Sequence, residues 1–171
     1  MALELKKIDS LTKEAVDRFV ESWQGEDMIP STLHKYNGDI AEFAAHLETM
    51  EKDPPRLLVN STMWFLTDGD EILGAVELRH FLNSGLARYG GHVGYGVSPA
   101  HRGHGYAQKM LGMIADDAKQ LGLSDLLVCC LKENIASAKT IVNAGGSLED
   151  EVEIIRGGER KTGQRYWLRL K

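Results

Sequence analysis

The segment Asp125-Leu126-Leu127-Val128-Cys129-Cys130-Leu131 is a near-continuous apolar run. A strand with one wet face alternates apolar and polar residues, so a run of this kind reads as a strand buried on both faces. Such a strand needs helices against its sheet, and the flanking sequence supplies them. From about Gly105 to Leu121, the residues Ala107, Met110, Leu111, Ile114, Ala118 and Leu121 recur at helical spacing, with Gly122 placed as the C-cap. Asn134 is placed to cap a second helix over about 135–144, which Gly145-Gly146 ends. A helix between two strands is the usual crossover between parallel neighbours, so the strands around 105–121 are expected to run parallel.

The rest of the chain extends the pattern. Residues 3–8 read as a short strand. Ser10 and Thr12 offer N-caps for a helix to about Gln24, with Ala15, Phe19, Val20 and Trp23 on one face. A loop containing Pro30 follows. A second helix opens at Asp39, with Ile40, Phe43, Ala44 and Leu47 as its stripe, and ends before Pro54-Pro55. Two strands then flank Asp68-Gly69-Asp70 as a hairpin, and residues 91–97 form a third strand. Strands at about 147–155 and 164–170 close the chain. The predicted fold is α/β, a mixed sheet of about seven strands in the order β-α-α-β-β-β-α-β-α-β-β.

A chain of 171 residues makes one ordinary domain, spanning 1–171, and is long enough to bury its own core without a metal or a disulfide. With Lys plus Arg at 20 and Asp plus Glu at 25, the net charge is -5, which argues against general nucleic-acid binding. No stretch approaches a membrane span, and the charged N-terminal residues do not form a signal peptide, so a cytoplasmic location is expected, with no membrane partner. The two cysteines, Cys129 and Cys130, are adjacent and read as core packing rather than a disulfide. His101 and His104 lack the further ligands a metal site needs, so no metal is expected.

Glycine is the one enriched residue, 18 in all, and seven of these fall between Gly85 and Gly105. There the strand 91–97 gives way to Ser98-Pro99-Ala100-His101-Arg102-Gly103-His104-Gly105-Tyr106-Ala107, a basic glycine-rich turn leading into a long helix. Helix N-termini present unpaired N–H groups and a partial positive charge, and glycine lets an anion approach the backbone. Residues 102–107 are therefore a candidate phosphate or pyrophosphate site. The P-loop spacing is absent, and a dinucleotide fold would need glycine where Gln108 stands.

What remains is Arg-x-x-Gly-x-Ala, met by Arg102, Gly105 and Ala107. With Asn134-Ile135-Ala136-Ser137 downstream, the chain resembles the GNAT superfamily of acyl-CoA-dependent N-acyltransferases over nearly its whole length. The segments 78–80, 90–95 and 165–167 resemble a bacterial subgroup of predicted acetyltransferases. The resemblance implies acetyl-CoA as acyl donor, held by the amides of Arg102, Gly103, His104, Gly105, Tyr106 and Ala107. Pantetheine would enter where the strands 91–97 and 125–131 splay, beside Tyr95, Gly96 and Val97 and near Asn134 and Ser137. A backbone N–H near Tyr95 or Val97 would polarise the thioester carbonyl. A homodimer is the assembly common in the family.

Acyl transfer to an amine needs a proton acceptor and an exit for the thiolate. Glu77 is the leading base because it stands in an otherwise apolar strand; the alternative is that it points to solvent. His92 and His80 follow, against the alternative of hydrogen-bonded core histidines. The family's Tyr four residues before the glycine of the second motif is Ile141 here, counting back from Gly145. Tyr166 or Tyr95 can substitute as the acid, or the thiolate can leave unaided. The function expected is acetyl-CoA-dependent N-acetyl transfer to a primary amine of a small molecule or peptide by direct attack in a ternary complex. The alternatives are an acyl-CoA-binding or regulatory module with reduced chemistry, and nucleotide binding at the same turn. The acceptor is expected against residues 25–50, 80–90 and 156–163.

Overall fold

A computed structural model describes residues 2–171. Its strands are β1 (Leu3–Lys6), β2 (Ser61–Asp68), β3 (Glu71–Arg79), β4 (Val93–Val97), β5 (Asp125–Leu131), β6 (Ser147–Arg156) and β7 (Glu159–Arg169). Its helices are α1 (Lys13–Glu21), α2 (Ile40–Lys52), α3 (Ser84–Arg88), α4 (Tyr106–Met113), α5 (Ala115–Gln120) and α6 (Ile135–Asn143). The α/β order read from the sequence stands, with α3 added between β3 and β4. The helix predicted over 105–121 divides at Ile114, and its stripe buries Met110, Leu111, Ile114 and Ala118 but leaves Leu121 41% exposed.

Local chemistry places the helix starts. Thr12 accepts a hydrogen bond from the Ala15 N–H at 3.2 Å, Asp39 from Glu42 at 3.0 Å and Asn134 from Ser137 at 3.1 Å. Each satisfies a backbone donor that the first helical turn leaves open. Gly69, at φ 59°, closes the β2–β3 hairpin.

Strand β2 is buried on both faces and divides the core. Trp64 and Leu66 pack with Met110, Leu111 and Ile114 of the α4 side, while Met63 and Phe65 pack with Phe19, Trp23 and Phe43 of α1, the loop after it, and α2. Fully buried side chains such as Phe65, Leu66 and Met110 each contribute roughly 1.5–3 kcal/mol of transfer free energy.

The strands form two sheets, β1-β2-β3-β4 and β5-β7-β6, with every ladder antiparallel. The parallel ladder expected between β4 and β5 does not form. The two meet at one isolated bridge between Gly91 and Val128, of antiparallel type. The His92 N–H donates to the Leu127 carbonyl at 2.8 Å, and the Leu127 N–H donates to His92 Nδ1 at 2.9 Å. A side chain thus takes the place of the next backbone carbonyl, and pairing stops there. Toward Val97 the strands splay, and the gap between the sheets is where the candidate site lies.

Gly91 makes this junction possible. Its φ is 69°, and a Cβ there would stand 2.2 Å from the Leu127 carbonyl oxygen. Gly91→Ala is expected to cost about 2 kcal/mol or more, through backbone strain plus a clash with main chain that cannot yield. Urea unfolding measures it; a change under about 0.5 kcal/mol, the range of ordinary surface substitutions, would contradict this account of the junction.

Candidate active site

Gly105 is the N-cap residue of α4, in the left-handed region at φ 76°, and Gly103 is at φ 84°. Neither glycine has an atom within 4 Å of where a Cβ would be, so backbone conformation, not crowding, requires them. The first bond of the helix runs from the Lys109 N–H to the Gly105 carbonyl. The N–H groups of residues 103–108 take no hydrogen bond among the described residues, which leaves a cluster of donors at a helix N-terminus.

This turn opens into a cavity of about 670 Å³. Tyr95, Gly96, Val97, Arg102, Gly103, Gly105, Tyr106, Ala107, Asn134 and Ser137 all line it. Of the residues expected around the donor, only His104 is outside the lining; its ring stacks on Tyr106 at 5.5 Å and its Nδ1 meets the His101 carbonyl. Both ring nitrogens of His101 are engaged, by Ser98 at 2.7 Å and Glu71 at 2.9 Å, which fits a structural role.

β4 presents a free edge to the same cavity. The Arg79 N–H bonds the His92 carbonyl at 2.7 Å and the Ser98 N–H bonds the Leu73 carbonyl at 3.0 Å. Alternation along the antiparallel ladder then turns the backbone groups of Gly94 and Gly96 toward β3 and those of Tyr95 and Val97 toward the gap. A Cβ on Gly96 would stand 2.2 Å from the Ile29 carbonyl oxygen, so this glycine admits the chain's own loop across β4, whereas a Cβ on Gly94, 3.7 Å from Pro30, would meet only ordinary contacts.

Across the gap, the Tyr95 hydroxyl meets Ser137 Oγ at 2.6 Å, and burial pushes its pKa up to about 12. Asn134, which caps α6 through the Ser137 N–H, holds that serine in place. Arg102 is tied to the α1–α2 connection. Its Nη2 pairs with Glu26 at 2.9 Å, its Nε donates to the Val97 carbonyl at 3.2 Å, and its guanidinium lies 5.6 Å from the Trp23 ring centroid. Trp23, Glu26, Asp27 and Ile29 complete the cavity wall. Glu26, Asp27 and Ile29 fall in the 25–50 segment expected beside the acceptor and line this cavity instead, while Trp23 reads in the sequence only as a core residue.

The acetyltransferase (GNAT) domain family matches residues 7–147. This chain belongs to the GNAT acetyltransferase family. Solved structures share its fold. The yncA protein of Salmonella typhimurium, solved with its cofactor acetyl-CoA, is 17% identical with a TM-score of 0.65, the match covering 100% of this chain and 95% of that one. A chimera of the Vibrio cholerae spermidine N-acetyltransferase SpeG and hSSAT is 15% identical with a TM-score of 0.69, covering 99% and 96%. The V. cholerae spermidine N-acetyltransferase in a dodecameric structure is 15% identical with a TM-score of 0.66, covering 98% and 94%. No curated protein matches the sequence. Among the described residues, no helix is long and apolar enough to cross a membrane.

In this GNAT chain, Glu77 is buried, 7% exposed, and its Oε2 accepts a hydrogen bond from Thr32 at 2.7 Å. It lines a second cavity, of about 490 Å³, with Thr32, Lys35 and His46 from the α1–α2 connection and α2, and Arg79, Asn83 and Leu86 from the end of β3 onward. Residues 156–163, expected beside the acceptor, do not line it. The reading of Glu77 as a solvent-facing residue does not fit this burial.

His92 and Tyr166 stand apart from both cavities. His92 is 5% exposed, and its Nδ1 is taken by the Leu127 N–H, so the neutral ring carries its proton on Nε2 and has no free lone pair. The Tyr166 hydroxyl donates to Gln164 at 2.7 Å and its ring sits in the larger core cluster. His80 meets Thr62 at 2.8 Å. Ile141 is fully buried and offers no phenol. Burial raises the pKa of both Cys129 and Cys130, which disfavours the thiolate a nucleophile needs.

Burial, with Arg79 nearby, holds the His92 imidazole below its ordinary 6.5. As pH falls through 6.5 the unfolded chain takes up that proton before the folded chain does. Stability is therefore full above this value and is lost as pH drops toward the folded pKa. Burial shifts His80 the same way. His92→Asn keeps an acceptor near Leu127 without the titration, so thermal unfolding from about pH 7 to about pH 5 is expected to show a shallower fall in Tm than the wild type. An unchanged slope would contradict it.

Proposed function

We propose that this chain transfers an acetyl group from acetyl-CoA to a primary amine of a small molecule or peptide, the amine attacking directly in a ternary complex. One observation carries the reading: the unpaired N–H groups of the 103–108 turn and the free edge of β4 open into the same cavity. The fit to CoA is chemical. Pyrophosphate matches the amides at the start of α4, and the amides of pantetheine match the strand-like edge at Tyr95 and Val97. Acetyl-CoA supplies the acetyl group as a thioester.

The chain's own groups do the rest. The Tyr95 or Val97 N–H polarises the carbonyl, Glu77 takes the proton of the attacking amine, and the Tyr95 hydroxyl, protonated at neutral pH, returns one to the thiolate. His92 serves as the clamp between the sheets and Tyr166 as a core residue. The homodimer is kept as part of the proposal, to be read by sedimentation.

Release of CoA across a panel of amines tests the reading, alongside the Tm shift given by acetyl-CoA. Binding without turnover would favour the second reading, a binding or regulatory module, for which Ile141 in place of the family's tyrosine is the supporting observation.

A further inference from the structure

We propose that the cavity in front of Glu77 takes an amine that carries an anionic group, carboxylate or phosphate, a few bonds away, and not a polyamine. The proposal rests on the acetyl-transfer reading and names the acceptor class for it.

Glu77 and Arg79 are alternate residues of β3 and project from the same face. Arg79 Nη1 donates to the carbonyls of Gly90 at 3.2 Å and Gly91 at 3.0 Å. These bonds draw the guanidinium along β4 until Nη2 lies 3.6 Å from where a Cβ on Gly94 would be. Gly94 is the register partner of Glu77. The guanidinium thus stands over the residue directly opposite the carboxylate. Yet no ion pair within 4.0 Å joins the two, and no other carboxylate pairs with Arg79 among the described residues.

A half-buried guanidinium without a counter-anion is costly unless something else neutralises it. Here Nη2 and Nε take no partner among the described residues, and paired N–H groups of arginine are suited to carboxylate and phosphate oxygens. Glu77 also keeps Oε1 free, since Thr32 bonds Oε2. The cavity therefore offers one acceptor for an amine N–H and, about one strand spacing away, one cationic fork for an anion. Its other charged lining is Lys35, with His46 beside it, and Glu77 is the only carboxylate among the lining residues. A polyamine would bring two or more ammonium groups to one carboxylate and two fixed cations. An amino acid or an aminoalkyl phosphate matches both signs at the right separation.

The test compares kcat/KM for serine, ethanolamine, O-phosphoethanolamine and spermidine, following CoA release. Serine or O-phosphoethanolamine is expected to exceed ethanolamine by about 30-fold or more, the size of one well-placed charged hydrogen bond. Which of the two leads identifies carboxylate or phosphate. Arg79→Gln is expected to cut that preference about tenfold, acting mainly on KM, with Lys35→Glu cutting it about threefold from an exposed position that does not endanger folding. A preference for spermidine or ethanolamine overturns the proposal, as does a ratio unchanged in both variants. If nothing turns over, calorimetry of serine and O-phosphoethanolamine into CoA-saturated protein decides, and binding of neither overturns it. Loss of the acetyl-CoA Tm shift in the wild type would instead sink the acetyl-transfer reading itself.

Discussion

Gly105→Glu is expected to abolish the stabilisation of this protein by acetyl-CoA. At a ligand concentration of about 100 times Kd, the wild type gains roughly 2.7 kcal/mol, or about 5–10 °C in a chain of this size. The substituted carboxylate would stand at the start of α4, among the unpaired amides of the 103–108 turn. Like charges about 4 Å apart near a protein surface repel by roughly 4 kcal/mol, enough to lower affinity at least 100-fold. The folded protein tolerates the change better. The site of the new Cβ is open, so the cost is about 1–3 kcal/mol of backbone strain at φ 76°, partly offset by a negative charge at a helix N-terminus.

Gly157→Glu is the control. It lies in the β6–β7 turn at φ 59°, also with open space around it, and lines neither cavity. Strain there is of the same kind, but the acetyl-CoA shift should persist. A shift retained by Gly105→Glu, or lost equally in both variants, would remove the turn from the donor site.

Glu77→Gln is expected to lower kcat by about 100- to 10,000-fold, the usual contribution of a positioned general base. The amide preserves shape and can still accept the Thr32 hydroxyl, so stability should change by less than about 1 kcal/mol. Thr32→Val removes only the hydrogen bond that orients the carboxylate and should lower kcat by about tenfold with little effect on the acetyl-CoA Tm shift. The assay is CoA release with the best amine found in the panel. Near-normal turnover in Glu77→Gln would move the base elsewhere. An equal loss in both variants would assign Thr32 more than a positioning part.

The turn and cavity proposed for the donor were legible in the sequence because their determinants are contiguous. Gly103 and Gly105 set the turn, Tyr106 and Ala107 follow it into the helix, and Asn134 and Ser137 lie within one helical turn of each other. Backbone geometry of this kind is written into neighbouring residues. Around Glu77, the sequence named that residue and the broad segments 25–50 and 80–90, but no other side chain of the cavity. Thr32, Lys35 and His46 come from the α1–α2 connection and α2, and Arg79 from the end of β3, so their convergence depends on how α1 and α2 pack against the first sheet. Gly96 shows the same limit: that the Ile29–Pro30 loop crosses it so closely is a matter of packing.

Hydrophobic period, capping residues and glycine placement determined the elements, their order and the glycine turn that opens α4, because each acts over a few neighbouring residues. Tertiary structure alone decided that β4 and β5 part after one bridge. That outcome depends on the His92 imidazole reaching the Leu127 N–H, 35 residues away in the chain, and on Gly91 lying against the Leu127 carbonyl. It likewise decided that Arg79 stands over Gly94, opposite Glu77, without pairing to it. Contacts between residues so distant in the chain follow from packing the two sheets together, and no local pattern encodes them.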